Sequence, residues 1–163
     1  MITKIGNKKS FKPYATDGKT SVVMWDFKPL IKNNGEVTEN GSWKIEKFNK
    51  VLSLDEIKGF ILGYYNSKID EKILSGMQWK NMKVWLSSEN QFNYKAAYDL
   101  AIQTNGANLP VVFKFGETNN PVYYKFDDIN ELSDFYLSSM KYIQETLAEG
   151  WVLKDSIKWE DYI

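Results

Sequence analysis

The fold is decided by residues 111–126, which read VVFKFGETNNPVYYKF. Two runs of β-branched and aromatic residues flank a turn of Gly, Asn and Pro, and this arrangement predicts an antiparallel β-hairpin. Directly after it, Asp128-Ile129-Asn130-Glu131 predicts a helix N-terminus, because an Asp side chain accepts hydrogen bonds from the free N–H groups of a first turn. This helix is expected to stop at Gly150 and to bury one apolar stripe, formed by Leu132, Tyr136, Met140, Ile143 and Leu147.

A similar pattern of two strands and a capped helix begins at residue 21. Residues 21–27 and 42–48 predict the first hairpin, with a turn-rich polar connector between them. Ser53-Leu54-Asp55-Glu56 is a capping box, in which the Ser and Glu side chains accept from each other's backbone N–H groups at a helix start. The helix is predicted to end at Gly76.

The pattern occurs once more before the third hairpin. Residues 77–79 and 82–86 predict a shorter hairpin, and Ser88-Glu89-Asn90-Gln91 predicts the capping box of the next helix. The buried stripe of that helix is expected to contain Phe92, Ala96 and Leu100. The sequence therefore predicts an α+β fold, in which antiparallel hairpins alternate with three amphipathic helices in ββα-like units.

The domain organisation predicted from the sequence is simple. Residues 21–163 are expected to form a single α+β domain, because the chain has the length of one ordinary domain. Residues 1–20 are predicted to be an N-terminal arm, since they show no periodicity, and a C-terminal tail is predicted from about residue 151. The N-terminus carries a charge but no apolar run, so no secretory signal peptide is expected.

The composition excludes several kinds of chemistry. The chain has no His, no Cys and no Arg, so we expect no metal, no cofactor and no enzymatic activity. An enzyme that uses only carboxylates is a further hypothesis, which requires acidic side chains that converge in a cleft. Lys and the acidic residues number 21 each, so no net charge favours nucleic acid or an anionic membrane, and no apolar run is long enough to span a bilayer.

Three short motifs are better explained by local structure than by catalysis or ligand binding. Gly18-Lys19-Thr20 resembles the end of a phosphate-binding loop, but Pro13 stands where the first Gly of that loop is needed. Ser138-Ser139-Met140-Lys141 matches the Ser-x-x-Lys of penicillin-binding enzymes, but it lies inside a predicted helix and lacks the accompanying motifs. Asp127-Asp128 lacks the Gly and Glu of a calcium loop and is interpreted as part of a helix cap.

The aromatic residues, which make up 15% of the chain, divide into two groups. Four tryptophans in strand-like runs are predicted core residues, namely Trp25, Trp43, Trp79 and Trp85. A second group follows the last predicted helix and consists of Trp151, Trp159 and Tyr162. These three residues either dock back onto the domain or contact a partner protein, so they are the candidate partner contacts.

Three stretches of the chain resemble a known family, residues 82–100 (MKVWLSSENQFNYKAAYDL), 109–116 (LPVVFKFG) and 142–151 (YIQETLAEGW). They are similar to a family of uncharacterised domains encoded by phages and prophages of gut bacteria, including crAss-like phages. Domains of this family occur as small proteins or at the ends of tail and fibre proteins. The likeness covers roughly residues 42–162.

The resemblance implies a virion-associated or tail-associated protein. We therefore expect a non-enzymatic structural or docking protein, whose partners are other phage virion proteins or further copies of the chain. Its location would be the virion, or the host cytoplasm before assembly. A carbohydrate- or ligand-binding module of a phage tail or fibre is the alternative, because Trp and Tyr rings offer flat apolar faces to sugars.

Overall fold

The computed structural model describes residues 2–163 and contains three α-helices and eight strands. Every strand pair is antiparallel, so the predicted α+β class is confirmed. The strands are β1 (Ile2–Asn7), β2 (Tyr14–Thr16), β3 (Ser21–Ile31), β4 (Val37–Phe48), β5 (Met77–Trp79), β6 (Met82–Val84), β7 (Val111–Glu117) and β8 (Asn120–Phe126). The helices are α1 (Leu54–Leu74), α2 (Ser88–Gln103) and α3 (Ile129–Asp155).

The chain groups into two compact units. The first contains the described residues up to Tyr64 together with Ser156–Ile163, and the second is Tyr65–Asp155. The boundary between them falls inside α1. The assignment of residues 21–163 to one domain stays a prediction.

The first unit contains a four-stranded sheet in the order β1-β4-β3-β2. Strand β1 pairs along β4 from Ile2 opposite Ile45 to Asn7 opposite Asn40, and β2 pairs with β3. Both edge strands therefore lie within residues 1–20, which the sequence analysis interpreted as an arm. The sequence analysis missed strand β1, because this strand is exposed along most of its length and lacks the alternation of apolar and polar residues that marks a half-buried strand.

The core of the first unit is built around Trp25. Its ring makes edge contacts with Phe60 and Tyr64, at centroid distances of 4.9 and 5.4 Å.

The predicted capping box at the start of α1 is confirmed, because the Ser53 backbone N–H donates to Glu56 Oε2 over 2.8 Å and the Glu56 N–H donates to Ser53 Oγ over 3.3 Å.

The capping box leads to a prediction about acid stability. The hydrogen bond from Lys50, followed by those from Ser53, lowers the pKa of Glu56 to about 2. The stability contributed by the Glu56 carboxylate is therefore present above pH 4.5 and is lost as the pH falls towards 2. We expect Glu56→Gln to unfold at a lower temperature than the wild type at neutral pH, and the difference to shrink in thermal melts on acidification. Asp55→Asn, which alters a side chain that is 96% exposed in the same turn, should not reproduce this pH dependence.

The second unit has an aromatic core centred on Phe135 of α3, which is fully buried. Five rings surround it at centroid distances between 4.9 and 5.9 Å, those of Trp79, Tyr94, Phe113, Phe115 and Phe126. Most of these rings come from the predicted third hairpin, which is confirmed with a two-residue turn between Glu117 and Asn120.

The predicted cap of α3 is also confirmed, because the Glu131 N–H donates to Asp128 Oδ2 over 3.2 Å.

The details of α2 correct the sequence prediction. The N-cap is Ser87, whose hydroxyl accepts from the Asn90 N–H, so the cap lies one residue before the predicted one. The predicted buried stripe is wrong, since Phe92 is 72% exposed and Leu100 is also exposed. Tyr94 is buried instead, because its ring packs against the aromatic core and its hydroxyl donates to the Trp85 carbonyl.

Helix α3 extends beyond its predicted end. It continues through Gly150 to Asp155, so the first residues of the predicted C-terminal tail are helical. Gly150 is buried, and a Cβ atom placed on it would lie 2.1 Å from Ile69 Cδ1. The missing side chain of Gly150 therefore permits close packing against α1, whereas the sequence analysis interpreted it as a helix stop.

Candidate functional site

The three predicted partner contacts lie in different surroundings. Tyr162 is buried in the first unit, where its hydroxyl donates to the Met24 carbonyl over 2.9 Å. Trp159 is half-buried, with its ring centroid 5.9 Å from that of Tyr162. Trp151 belongs to α3 in the second unit and is exposed. We therefore keep Trp151 as a candidate contact and remove Tyr162, because that side chain docks within its own unit.

Trp151 is part of an exposed apolar surface in the last two turns of α3. Its neighbours Val152 and Leu153 are also exposed, and the exposed fractions of the three residues are 55%, 69% and 54%. Ala148, one turn earlier, is exposed as well. We call Ala148, Trp151, Val152 and Leu153 the terminal patch. Single exposed apolar residues are common in proteins, but a contiguous group of large ones is typical of an interaction surface.

The packing of α3 explains why the terminal patch faces outward. The side of the helix that carries the buried small residues Thr146 and Gly150 lies against the second half of α1, and Leu153 lies at the end of that side. Hydrogen bonds hold the two helices together, because the Tyr142 hydroxyl donates to the Lys72 carbonyl over 3.1 Å and Lys154 Nζ donates to Asn66 Oδ1 over 3.0 Å. The inner face of α3 is thus occupied as far as Gly150, and Ala148, Trp151 and Val152 of the terminal patch lie on the outer face.

An open groove runs along the terminal patch. It has a volume of about 680 Å³ and is lined by Glu145, Ala148, Glu149, Val152 and Leu153. The Glu149 carboxylate forms an ion pair with Lys72. The hydrogen bond that Lys72 donates to Glu149 is the main cause that raises the pKa of Lys72, so Lys72 stays charged near neutral pH. The groove therefore has an apolar floor and an acidic edge that is largely neutralised.

A second polar cluster of this unit joins the β5–β6 hairpin to β8 and α3. Lys80 forms an ion pair with Glu131, and the Tyr124 hydroxyl donates to the same carboxylate over 2.5 Å. The pKa of Lys80 is raised and that of Glu131 is lowered, in both cases mainly by the hydrogen bond between them. Trp79 Nε1 donates to Asp134 Oδ2 over 3.0 Å beside it. These mutual contacts anchor the hairpin, which gives the cluster a structural role.

Residues 2–163 offer neither a cluster of metal ligands nor a helix that could cross a membrane. In this part of the chain, no three His, Cys, Asp or Glu side chains lie close enough together to bind a metal ion. None of its helices combines the length and the hydropathy needed to span a bilayer.

No protein-family model, no curated protein and no solved structure matches the chain. The resemblance to domains of gut phages stays a prediction.

The sequence analysis located the terminal patch only in part. It identified Trp151 from the large ring beyond the last predicted helix, but it did not identify Val152, Leu153 or Ala148. The signal was present in the run Trp151-Val152-Leu153 directly after Gly150. Interpreting Gly150 as a stop removed these residues from the helix, and with them the helical face that Ala148 shares with Val152.

Proposed function

We propose that the chain is a non-enzymatic docking protein of a phage virion or tail, which binds another virion component through the terminal patch. The observation that carries the proposal is the exposure of three consecutive large apolar side chains at the end of a well-packed helix. The resemblance to phage-encoded domains supplies the biological setting. The protein would act in the virion, or in the host cytoplasm before assembly.

The energetics of the terminal patch support a protein partner. Covering a Val or Leu side chain that is exposed in the free chain stabilises a complex by about 1.5–3 kcal/mol. Trp residues are enriched among the residues that dominate binding energy at protein interfaces. Glu149 at the rim already forms an ion pair with Lys72, so covering it would not leave an isolated charge without a partner.

A glycan-binding module is the second candidate function. It is favoured by the exposed indole of Trp151 beside a groove that contains Glu145 and Glu149, because sugars stack on aromatic rings and their hydroxyls donate to carboxylates. A glycan array with the purified chain separates the two candidates. Binding that is lost in Trp151→Ala would favour the glycan module over docking to a protein.

The docking proposal is tested with Val152→Asp, which places a charge in the centre of the terminal patch. We expect this variant to bind recombinant tail or capsid proteins at least about tenfold more weakly than the wild type, because a desolvated carboxylate would lie in an apolar contact. The measurement is co-elution in size-exclusion chromatography followed by titration.

The matched control is Phe92→Asp on α2, which changes an apolar residue that is 72% exposed outside the terminal patch. This variant should bind as the wild type does. The docking proposal is wrong if the wild type associates with none of the virion proteins, or if the two variants bind equally well.

A further inference from the structure

The outer face of α3 carries a self-complementary pattern of charge and size. Lys141, Ala148 and Asp155 are spaced by seven residues, which places them along one side of the helix at intervals of roughly 10 Å. All three are exposed, and the Lys141 side chain is 74% exposed. The smallest of them lies in the middle, and the two ends carry opposite charges.

We propose that the outer face of α3, with Ala148, Trp151 and Val152 of the terminal patch, binds a second copy of this chain, with the two α3 helices packed antiparallel about a two-fold axis at Ala148. In this arrangement Lys141 of each copy lies opposite Asp155 of the other, since both residues are seven positions from the axis. A small residue at the crossing point lets two helices approach closely. Two-fold symmetry requires a surface that complements itself, and this helical face has that property.

The residues between the axis and the ends also match in this register. Trp151 lies beside Gln144 of the second copy on one flank of the contact, where the indole N–H can donate to the amide oxygen. Val152 lies beside Glu145 of the second copy on the other flank, and the methylene groups of that side chain can cover it. Contacts of both kinds occur twice, because the axis relates the two copies.

Asp155 supplies an independent argument for this partner. It is the last residue of α3, where the helix dipole disfavours a negative charge. A lysine from a second copy would offset this unfavourable interaction. In the free chain Lys141 Nζ lies 3.8 Å from Glu145 Oε1, which is an exposed pair of small energetic value, so Lys141 can exchange this partner for Asp155 at little cost.

This inference rests on the exposure of the terminal patch, on which the proposed docking function also rests, and it is tested by charge reversal. Lys141→Glu and Asp155→Lys each place like charges together at both ends of the helix pair. Sedimentation velocity over a range of micromolar concentrations should show a dimer for the wild type. Dimerisation should be about tenfold weaker for each single variant.

An equimolar mixture of the two variants provides the decisive result. In the mixed dimer, the glutamate introduced by Lys141→Glu lies opposite the lysine introduced by Asp155→Lys in the other chain. At the far end of the helix pair, the unchanged Asp155 of the first chain lies opposite the unchanged Lys141 of the second. Wild-type affinity should therefore return in the mixture. A wild type that stays monomeric at all concentrations, or a mixture no tighter than its components, would overturn the inference.

The docking function fails in a different way, so the two proposals can be told apart. A monomeric wild type that still co-elutes with virion proteins overturns self-association and leaves the docking function standing. A dimer that follows the charge-reversal pattern but binds no virion protein supports self-association and contradicts the docking function.

Discussion

Replacing Phe135 by Ala is expected to lower the free energy of unfolding by about 3–5 kcal/mol. The side chain is fully buried, and its ring lies within 5.3 Å of the rings of Trp79, Tyr94, Phe115 and Phe126, measured between centroids. Removing it opens a cavity between residues that come from both hairpins and from α2, and such a cavity cannot collapse without moving several elements. The loss is measured by urea unfolding followed by far-UV circular dichroism.

The control for this substitution is Phe92→Ala, which removes the same atoms from an exposed site on α2. We expect its effect to stay within about 0.5 kcal/mol. Phe135→Leu should fall between the two, because it keeps most of the apolar volume. Equal losses for Phe135→Ala and Phe92→Ala would show that the aromatic core does not stabilise the unit as inferred.

Gly76→Ala is expected to destabilise the protein by at least about 2 kcal/mol. Gly76 has φ +80°, and a Cβ atom there would lie 2.1 Å from the Val84 carbonyl oxygen. The residue also ends the turn after α1, where its N–H donates to the Ile73 carbonyl over 2.9 Å. An Ala side chain would therefore combine an unfavourable left-handed backbone with a collision against the backbone of β6.

Gly63→Ala is the matched control, because the same substitution should have the opposite sign there. Gly63 lies inside α1, and a Cβ atom placed on it meets nothing within 4 Å. Alanine is the better helix former, so we expect a gain of up to about 1 kcal/mol. Thermal melts of the two variants measure both changes in stability. A Gly76→Ala variant that unfolds at a higher temperature than the wild type would contradict the backbone geometry described for β5 and β6.

Local signals allowed much of the fold to be predicted. The hairpin of β7 and β8, the capping box of α1 and the Asp128 cap of α3 depend on residues that are close in sequence, so spacing and side-chain chemistry were sufficient. The two edge strands were missed, because an exposed strand has no apolar alternation and depends on a partner far along the chain.

The end of α3 shows why sequence alone was insufficient at the candidate site. Gly76 and Gly150 both follow a predicted apolar helical stripe, and each was predicted to end its helix. Gly76 does so with a positive φ, whereas Gly150 remains helical because it packs closely against Ile69. The difference depends on a neighbour 81 positions earlier in the chain (150 minus 69), and no local pattern contains it.

The buried face of α2 was misassigned for a related reason. The stripe through Phe92 has the right spacing, but so does the one that contains Tyr94 and Ala101. The structure buries the second stripe, because the Tyr94 ring fits between Phe113 and Phe135 while its hydroxyl reaches the Trp85 carbonyl. Burial also raises the pKa of Tyr94 to about 12. Helical spacing alone allows either face to be buried, and the packing of the Tyr94 ring against the aromatic core determines which one is.

The most direct test of the proposed docking function is the amount of the chain in purified virions of any phage whose genome carries its gene. Quantitative mass spectrometry should find the wild-type chain in the particles at a constant copy number. Particles from a phage that carries Val152→Asp should lose it, and those with Phe92→Asp should retain it. A chain that is abundant in infected cells but absent from particles, or Val152→Asp particles with the full copy number, would contradict a docking role for the terminal patch.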